Sequence, residues 1–211
     1  MTAVPWPPLR RALVAILRGV TPDMIEDIAD VLVETGFEAI EIPLNSPDPF
    51  TSIARLATRH GTRALVGGGT ILTPEAVDQV AAAGGRLMVS PNFRADVVTR
   101  AADRGMVTMP GVFTATEAFA ALDAGASGLK IFPAGSLGPG GIAALRAVLP
   151  PNTVIGAVGG VGPETMRSYI AAGVTAFGLG TGLYRPGDGP DTVRARARAA
   201  VAAYDSAIAE E

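Results

Sequence analysis

Two rhythms of hydrophobic and polar residues alternate along the chain. In one, apolar side chains recur every three or four positions, as in residues 21–36, where Met24, Ile25, Ile28 and Leu32 share one helical face. In the other, a short unbroken apolar run follows a glycine, as in "ETGFEAIEIPL", "RHGTRALVGGGT", "AAGGRLMVSP", "DRGMVTMPG", "DAGASGLKIFP" and "AAGVTAFGLGT". A glycine behind a helix is the usual left-handed terminator. An apolar run that does not alternate with polar residues is what a strand buried on both faces requires. Helix starts are equally legible. "TPDMIEDIADVLVETG" predicts Thr21 as N-cap, Pro22 in the first helical position and Asp23 in the first turn. "TPEAVDQVAAAG" repeats that grammar from Thr73 and "GPETMRSYIAAG" from Gly162, while "TATEAF" sets Thr114 and Glu117 at capping-box spacing.

Eight apolar runs read as strands, around Leu13–Leu17, Ala39–Leu44, Ala64–Gly68, Leu87–Ser90, Val107–Pro110, Leu129–Phe132, Val154–Val158 and Ala176–Gly180. Each is followed by a helical stretch, the last being "DTVRARARAAVAAYDSAIAE". Eight strand–helix units in 211 residues predict an α/β protein, a compact single-domain (β/α)8 TIM barrel, with an open doubly wound sheet as the alternative. No linker or shift of composition interrupts residues 13–208, which are therefore expected to form the barrel, with residues 1–12 as an N-terminal extension. "GSLGPGG", from Gly135, is expected to be a flexible loop leading into a helix from about Gly140.

Composition then removes several chemistries. The chain has no cysteine, which excludes disulfides, thiol nucleophiles and thiolate metal sites. Its one histidine, His60, lies in "ATRHGTR" and reads as the end of a surface helix without chemistry, so neither a His-based metal site nor a Ser-His-Asp triad is expected. A net charge of −3 with no basic block argues against nucleic-acid binding. No apolar stretch reaches the roughly 18 residues of a membrane span, and "MTAVPWPPLRR" lacks the apolar core of a signal peptide. A soluble cytoplasmic protein is expected.

One residue stands out against this background. Of 17 basic residues, Lys130 is the only lysine, and it sits in an apolar run between Leu129 and Ile131. Lysine is rarely buried without a reason. In a (β/α)8 barrel the catalytic residues come from the C-terminal ends of different strands, and three of the eight predicted strands carry a charge there: Arg18, Glu41 and Lys130. A structural ion pair, or charges pointing outward between helices, would account for them without chemistry. The chemical reading is more specific. A lysine amine becomes nucleophilic when an apolar pocket or a nearby cation keeps it neutral, and Leu129, Ile131, Phe132, Pro133 and Arg18 supply both conditions. A neutral amine condenses with a ketone or aldehyde to a Schiff base, and a carboxylate such as Glu41 can move the protons. Two glycine-rich strand ends, "AVGGVGPE" and "GLGTGLY", fall where barrels commonly hold phosphate on backbone N–H groups. Arg18 could reach the same anion. "VGGGT" reads as a close-packed turn that leaves room for substrate, with Thr70 as its polar contact, and it lacks the pattern of a dinucleotide fingerprint.

At these residues the chain resembles the 2-keto-3-deoxy-6-phosphogluconate and 6-phosphogalactonate aldolases. The resemblance runs from about Leu13 to Tyr204 and is most specific in "AILRGVTPD", "EAIEIPLNSP", "VGGGTIL", "SPN", "LKIFPA" and "AVGGV". It implies a (β/α)8 class I lyase that usually assembles as a homotrimer and uses neither cofactor nor metal. It implies Lys130 as the Schiff-base lysine, Glu41 as proton donor and acceptor, and Arg18 as a substrate contact near the phosphate. Asn45 in "EIPLN" stands where gluconate-type members have an arginine, and Val158 where they have a threonine before Gly-Gly; both match the galactonate type. The implied partners are a phosphorylated keto-deoxy sugar acid, pyruvate and glyceraldehyde 3-phosphate. Asn45, Thr70 and Asn92 are expected near the pyruvate end, and Gly159, Gly160, Gly180 and Thr181 around the phosphate. The N-terminal helix of the gluconate type is expected to be shorter here. Three competing readings remain: the same reaction on the gluconate epimer, a phosphosugar isomerase or epimerase using Glu41 without a covalent lysine, and a phosphate-binding barrel without catalysis.

Overall fold

The computed structural model describes residues 3–209. Strands and helices alternate along it: β1 (Leu13–Ile16), α1 (Ile25–Thr35), β2 (Ala39–Pro43), α2 (Pro49–His60), β3 (Leu65–Gly69), α3 (Pro74–Ala82), β4 (Leu87–Val89), α4 (Ala95–Asp103), β5 (Val107–Met109), β6 (Gly111–Val112), α5 (Ala115–Asp123), β7 (Leu129–Ile131), α6 (Ala134–Arg146), β8 (Ile155–Val158), α7 (Met166–Ala171), β9 (Ala176–Leu179) and α8 (Pro190–Ala209). All pairings are parallel, in the order β5-β4-β3-β2-β1-β9-β8-β7-β6. Nine segments fill eight places. The fifth predicted strand continues to Val112 and is broken at Pro110, which has no N–H to give the ladder. The ring still closes across this break, because Gly128 N–H donates to the Thr108 carbonyl (3.1 Å) and Lys130 N–H to the Pro110 carbonyl (2.9 Å). The (β/α)8 barrel expected from the sequence is therefore the fold, and the open sheet is not.

Why the strands read as unbroken apolar runs is now visible. Alternate residues enter two different cores. Leu13, Ala15, Leu17, Ile40, Ile42, Val66, Leu129, Ile131, Ile155, Ala157 and Phe177 face the helices, while Val14, Ala39, Leu65, Leu87, Val89, Val107, Met109 and Ala176 fill the barrel interior. The parity places Glu41 and Lys130 on interior positions, since Ile40, Ile42, Leu129 and Ile131 on either side of them all point outward.

The local signals mostly act as their residue types suggest. The Thr73 hydroxyl caps α3 by accepting from Ala76 N–H (3.2 Å), and Thr114 with Glu117 forms a complete capping box on α5. Gly36 ends α1 in the left-handed conformation (φ 106°). Some expectations need correction. Thr21 begins the turn into α1 with its carbonyl, which accepts from Met24 and Ile25 N–H, and the regular helix starts only at Ile25. Gly162 opens α7 in the same way, with the helix starting at Met166. "GSLGPGG" is not a flexible loop: α6 runs from Ala134 to Arg146 and is kinked at Gly138 (φ 71°), where Pro139 restarts the helix. His60 is no surface residue; its ring is buried against α1, 2.8 Å from the Asp30 carboxylate that also takes Arg59. "VGGG" is strand β3 itself rather than a turn.

The N-terminal extension, as far as it is described, closes the floor of the barrel: Val4, Trp6 and Leu9 pack against the interior core. No helix of the described residues is long and apolar enough to cross a membrane. Trp6 is the only tryptophan and is half-buried there. Trp6→Ala is expected to lower unfolding stability by about 2 kcal/mol in urea titrations, with turnover unchanged in an activity assay, because the floor lies at the opposite end from the strand C-termini.

Candidate active site

The two strand-borne charges of the barrel interior, Glu41 and Lys130, each stand at the middle of their strand, β2 and β7. Lys130 on β7 is 6% exposed and Glu41 on β2 is 2% exposed. Their environments oppose their charges. Burial pushes the Glu41 carboxyl from its ordinary 4.5 up to about 7, against the pull of Lys130 and Arg18 in the other direction. Burial likewise holds the Lys130 amine below its ordinary range; Glu41 works against this, and the positive charge of Arg18 adds to it. Each group helps keep the other ionised, yet desolvation is the larger cause for both, because the interior holds them away from water. The result is a carboxyl that can both hold and release a proton near neutrality and an amine that loses its proton more easily than a surface lysine.

Glycines make room for this pair. A Cβ on Gly69 would fall inside the Glu41 carboxylate, so the side chain occupies the place another residue would fill. The Glu41 Oε2 atom is buried without a hydrogen-bond partner, an arrangement costly to keep in a core unless something outside the protein meets it. On the other side, the Lys130 Nζ lies 4.6 Å from the centre of the Phe132 ring. That ring in turn packs on Gly159, where a Cβ would stand 3.3 Å from it.

Two adjoining spaces lie beside Glu41 and beside the Phe132 ring that Lys130 faces. A small inner one is lined by Glu41 with Val14, Ile16, Val89, Met109, Gly156, Val158 and Gly178. It shares Ile16, Val158 and Gly178 with a mouth of about 240 Å³, which adds Arg18, Phe132, Gly159, Gly160, Gly180, Thr181, Gly182, Tyr184 and Pro186. Gly159 (φ 86°) and Gly160 (φ 75°) are consecutive left-handed residues that no L side chain adopts easily. The turn they make is held by Gly135 N–H, which donates to the Gly159 carbonyl (2.8 Å). Across the mouth, the Gly180 carbonyl accepts from both Leu183 and Tyr184 N–H, curling the chain after β9 around the same space. A groove of about 490 Å³ exists at the barrel floor, lined by Trp6, Pro7, Arg146, Tyr204 and their neighbours. It is larger, but it holds no amine–carboxyl pair.

Of the residues singled out in the sequence, Arg18, Val158, Gly159, Gly160, Gly180 and Thr181 line one pocket, with Glu41 at its inner end and Lys130 against its Phe132 wall. Thr70 directly follows Gly69 and holds a left-handed backbone (φ 56°), a strained state for a β-branched residue. Asn45 lines neither space; its side-chain oxygen accepts from the Arg18 guanidinium. Asn92 is exposed, and its role in the structure is a main-chain carbonyl accepting from Ser90 Oγ (2.7 Å). Sequence reasoning covered Gly69, Gly178 and Tyr184 only within the stretches "VGGGT" and "GLGTGLY", without assigning them singly, and passed over Pro186. Gly69 and Gly178 carry a signal that could have found them: both share interior parity with the strand-borne charges.

Known proteins similar in sequence to this chain fall in one family. Residues 9–189 match the family model described as KDPG and KHG aldolase. A curated relative from Rhizobium meliloti (strain 1021), a probable 2-dehydro-3-deoxy-6-phosphogalactonate aldolase, is 55% identical over 206 residues, covering 98% of this chain and 97% of its own. The 2-dehydro-3-deoxy-6-phosphogalactonate aldolase of Escherichia coli (strain K12) is 47% identical over 196 residues, 93% of this chain and 96% of its own. A solved structure described as native KDPGal superposes with a TM-score of 0.95 at 46% identity, covering 97% of this chain and 99% of that one.

Proposed function

The chain belongs to the KDPG and KHG aldolase family, and we propose that within it the chain cleaves 2-dehydro-3-deoxy-6-phosphogalactonate to pyruvate and D-glyceraldehyde 3-phosphate, with Lys130 as nucleophile and Glu41 as proton carrier. As an aldolase it is a carbon–carbon lyase. The observation that carries the residue roles is a buried amine on β7 and a buried carboxyl of pKa about 7 on β2, each close enough to feel the other's charge inside the barrel.

The chemistry follows from those two groups. The neutral Lys130 amine adds to the C2 ketone to give a carbinolamine, and Glu41 donates the proton that lets hydroxide leave as water. The iminium is now an electron sink. Glu41, left as a carboxylate by that step, takes the C4 hydroxyl proton directly or through a water; the C3–C4 bond breaks, and its electron pair moves into the iminium. Glyceraldehyde 3-phosphate leaves with its new carbonyl, and a pyruvate enamine remains on Lys130. The same carboxyl returns a proton to C3, and water releases pyruvate and the amine. A group with a pKa near 7 suits both directions of transfer better than an ordinary carboxylate would.

The substrate anions have different reception. The phosphate is assigned to the mouth lined by Gly159, Gly160, Gly180 and Thr181, where the left-handed Gly159–Gly160 turn leaves the backbone free of side chains and Arg18 supplies the positive charge. Thr70 and Asn92 stand on the β3 and β4 side and are assigned to the pyruvate end. The exposed apolar side chains Leu72, Phe113 and Phe119 favour assembly with further copies, as a homotrimer.

Val158 carries the stereochemical part of the proposal. Its side chain lines both spaces and is 7% exposed, so it presents methyl groups where a hydroxyl could receive one C4 configuration. Assays of both C4 epimers should give a higher kcat/KM for the galactonate form. Val158→Thr should move the ratio toward the gluconate epimer by about tenfold, the worth of one hydrogen bond. A wild-type preference for the gluconate epimer would refute the substrate assignment.

A further inference from the structure

Most arginines with a side-chain partner in this protein are spent on carboxylates or on main-chain carbonyls. Arg11 pairs with Asp205, Arg59 with Asp30, Arg94 with Asp96, Arg100 with Asp78 and Arg196 with Asp188, while Arg86 and Arg146 tie off turn carbonyls. Arg18 differs. Its guanidinium Nη1 donates to the side-chain oxygen of Asn45, a neutral amide, and it lies on the wall of the glycine-lined mouth. We propose that Asn45 is a positioning residue that holds Arg18 in place for the substrate's phosphate while leaving its positive charge uncompensated. This rests on the reading of the mouth as a phosphate site.

The backbone on either side supports the same role. Leu17 N–H donates to the Glu41 carbonyl (3.0 Å), and Gly19 N–H donates to Ser46 Oγ (2.9 Å). Arg18 thus lies between two amides that are both tied to β2 and the turn after it. Gly19 takes φ 80°, and a Cβ there would stand 2.7 Å from Pro186, which also lines the mouth. The main chain is fixed and the side chain would otherwise be free, since Arg18 is exposed. An unrestrained arginine loses rotamer entropy when it is immobilised. A partner that restrains it beforehand moves that cost from binding to folding. A carboxylate could restrain it too, but would cancel the charge the anion needs. An amide restrains without cancelling. Asn45 itself lies outside both spaces of the site, so the effect reaches substrate through Arg18.

The test is a double-mutant cycle on kcat and KM with Asn45→Ala, Arg18→Ala and the double variant. It is run on the phosphorylated substrate and on its unphosphorylated counterpart, with thermal melting to confirm that each variant is folded. Asn45→Ala is expected to raise KM for the phosphorylated substrate about three- to tenfold, with a smaller change in kcat. It should leave KM for the unphosphorylated compound nearly unchanged and add nothing in the Arg18→Ala background. If Arg18→Ala raises KM and Asn45→Ala does not, or if the two effects multiply, the positioning role is wrong and the phosphate reading stands. If Arg18→Ala itself leaves KM for the phosphorylated substrate unchanged, the phosphate reading falls and the positioning role with it.

Discussion

Lys130→Met should lower kcat by on the order of 10⁵-fold, the scale seen when an enzyme loses its covalent nucleophile, and should abolish covalent capture of pyruvate. Wild-type protein treated with borohydride in the presence of pyruvate should gain one reduced adduct per chain in an intact-mass spectrum. The single lysine makes this assignment unusually clean, because apart from the N-terminal amine the chain offers no other primary amine. An adduct that persists in Lys130→Met, or activity that does, would overturn the Schiff-base mechanism. Folding should survive the change. Lys130 is buried and its charged form is disfavoured there by desolvation, so an apolar side chain of similar length removes a cost from the folded state. The phosphosugar isomerase reading makes the contrary prediction, since it uses Glu41 without a covalent lysine.

Glu41→Gln should reduce kcat by about 10²- to 10⁴-fold, the usual contribution of a positioned acid–base group, and should at the same time stabilise the fold above neutral pH. The sign follows from the direction of the shift. Glu41 titrates at about 7 when folded against an ordinary 4.5, so the folded protein binds this proton more tightly than the unfolded chain. Its contribution to stability is complete below about pH 4.5, where both states are protonated, and is lost as pH rises through 7. The loss amounts to roughly 3 kcal/mol at pH 8. Glutamine cannot ionise and keeps the shape, so the variant should unfold at higher urea than the wild type at pH 8 and at nearly the same urea at pH 4. Equal midpoints at pH 8 would show that Glu41 is not held in a desolvated place. Catalytic power and stability are opposed at this residue because the same burial that raises the pKa makes the ionised form costly.

Much of this was legible before any coordinates. Thr73, the Thr114–Glu117 box and Gly36 set helix ends through interactions within a few residues, and such signals survive whatever the rest of the chain does. The candidate charges were legible because a lone lysine in an apolar run has few physical explanations. Other features resisted reading for equally definite reasons. "GSLGPGG" has four glycines and a proline, all of which disfavour helix interiors, yet α6 forms across them: Gly135 N–H is bonded to the Gly159 carbonyl, and Ala134 and Ile142 are buried, so tertiary contacts outweigh propensity. His60 looked superficial because its burial depends on Asp30, which lies 30 residues away on α1. Asn45 was singled out by its likeness to the galactonate-type sequence pattern, which says nothing of its partner; the guanidinium that donates to it comes from 27 residues earlier.

What the sequence determined by itself was the order of strands and helices, the ends set by Thr73, the Thr114–Glu117 box and Gly36, and the two-residue parity that sets Glu41 and Lys130 apart from their neighbours. Which face that parity selects was decided only by the tertiary structure. Both faces of these strands are apolar, so alternation cannot distinguish barrel interior from helix layer. Closure of the ring across Pro110 makes one face an enclosed interior, and the missing side chain at Gly69 leaves space in it for the Glu41 carboxylate. The shifted acidities arise from that enclosure, which is a property of eight strands together and of none singly.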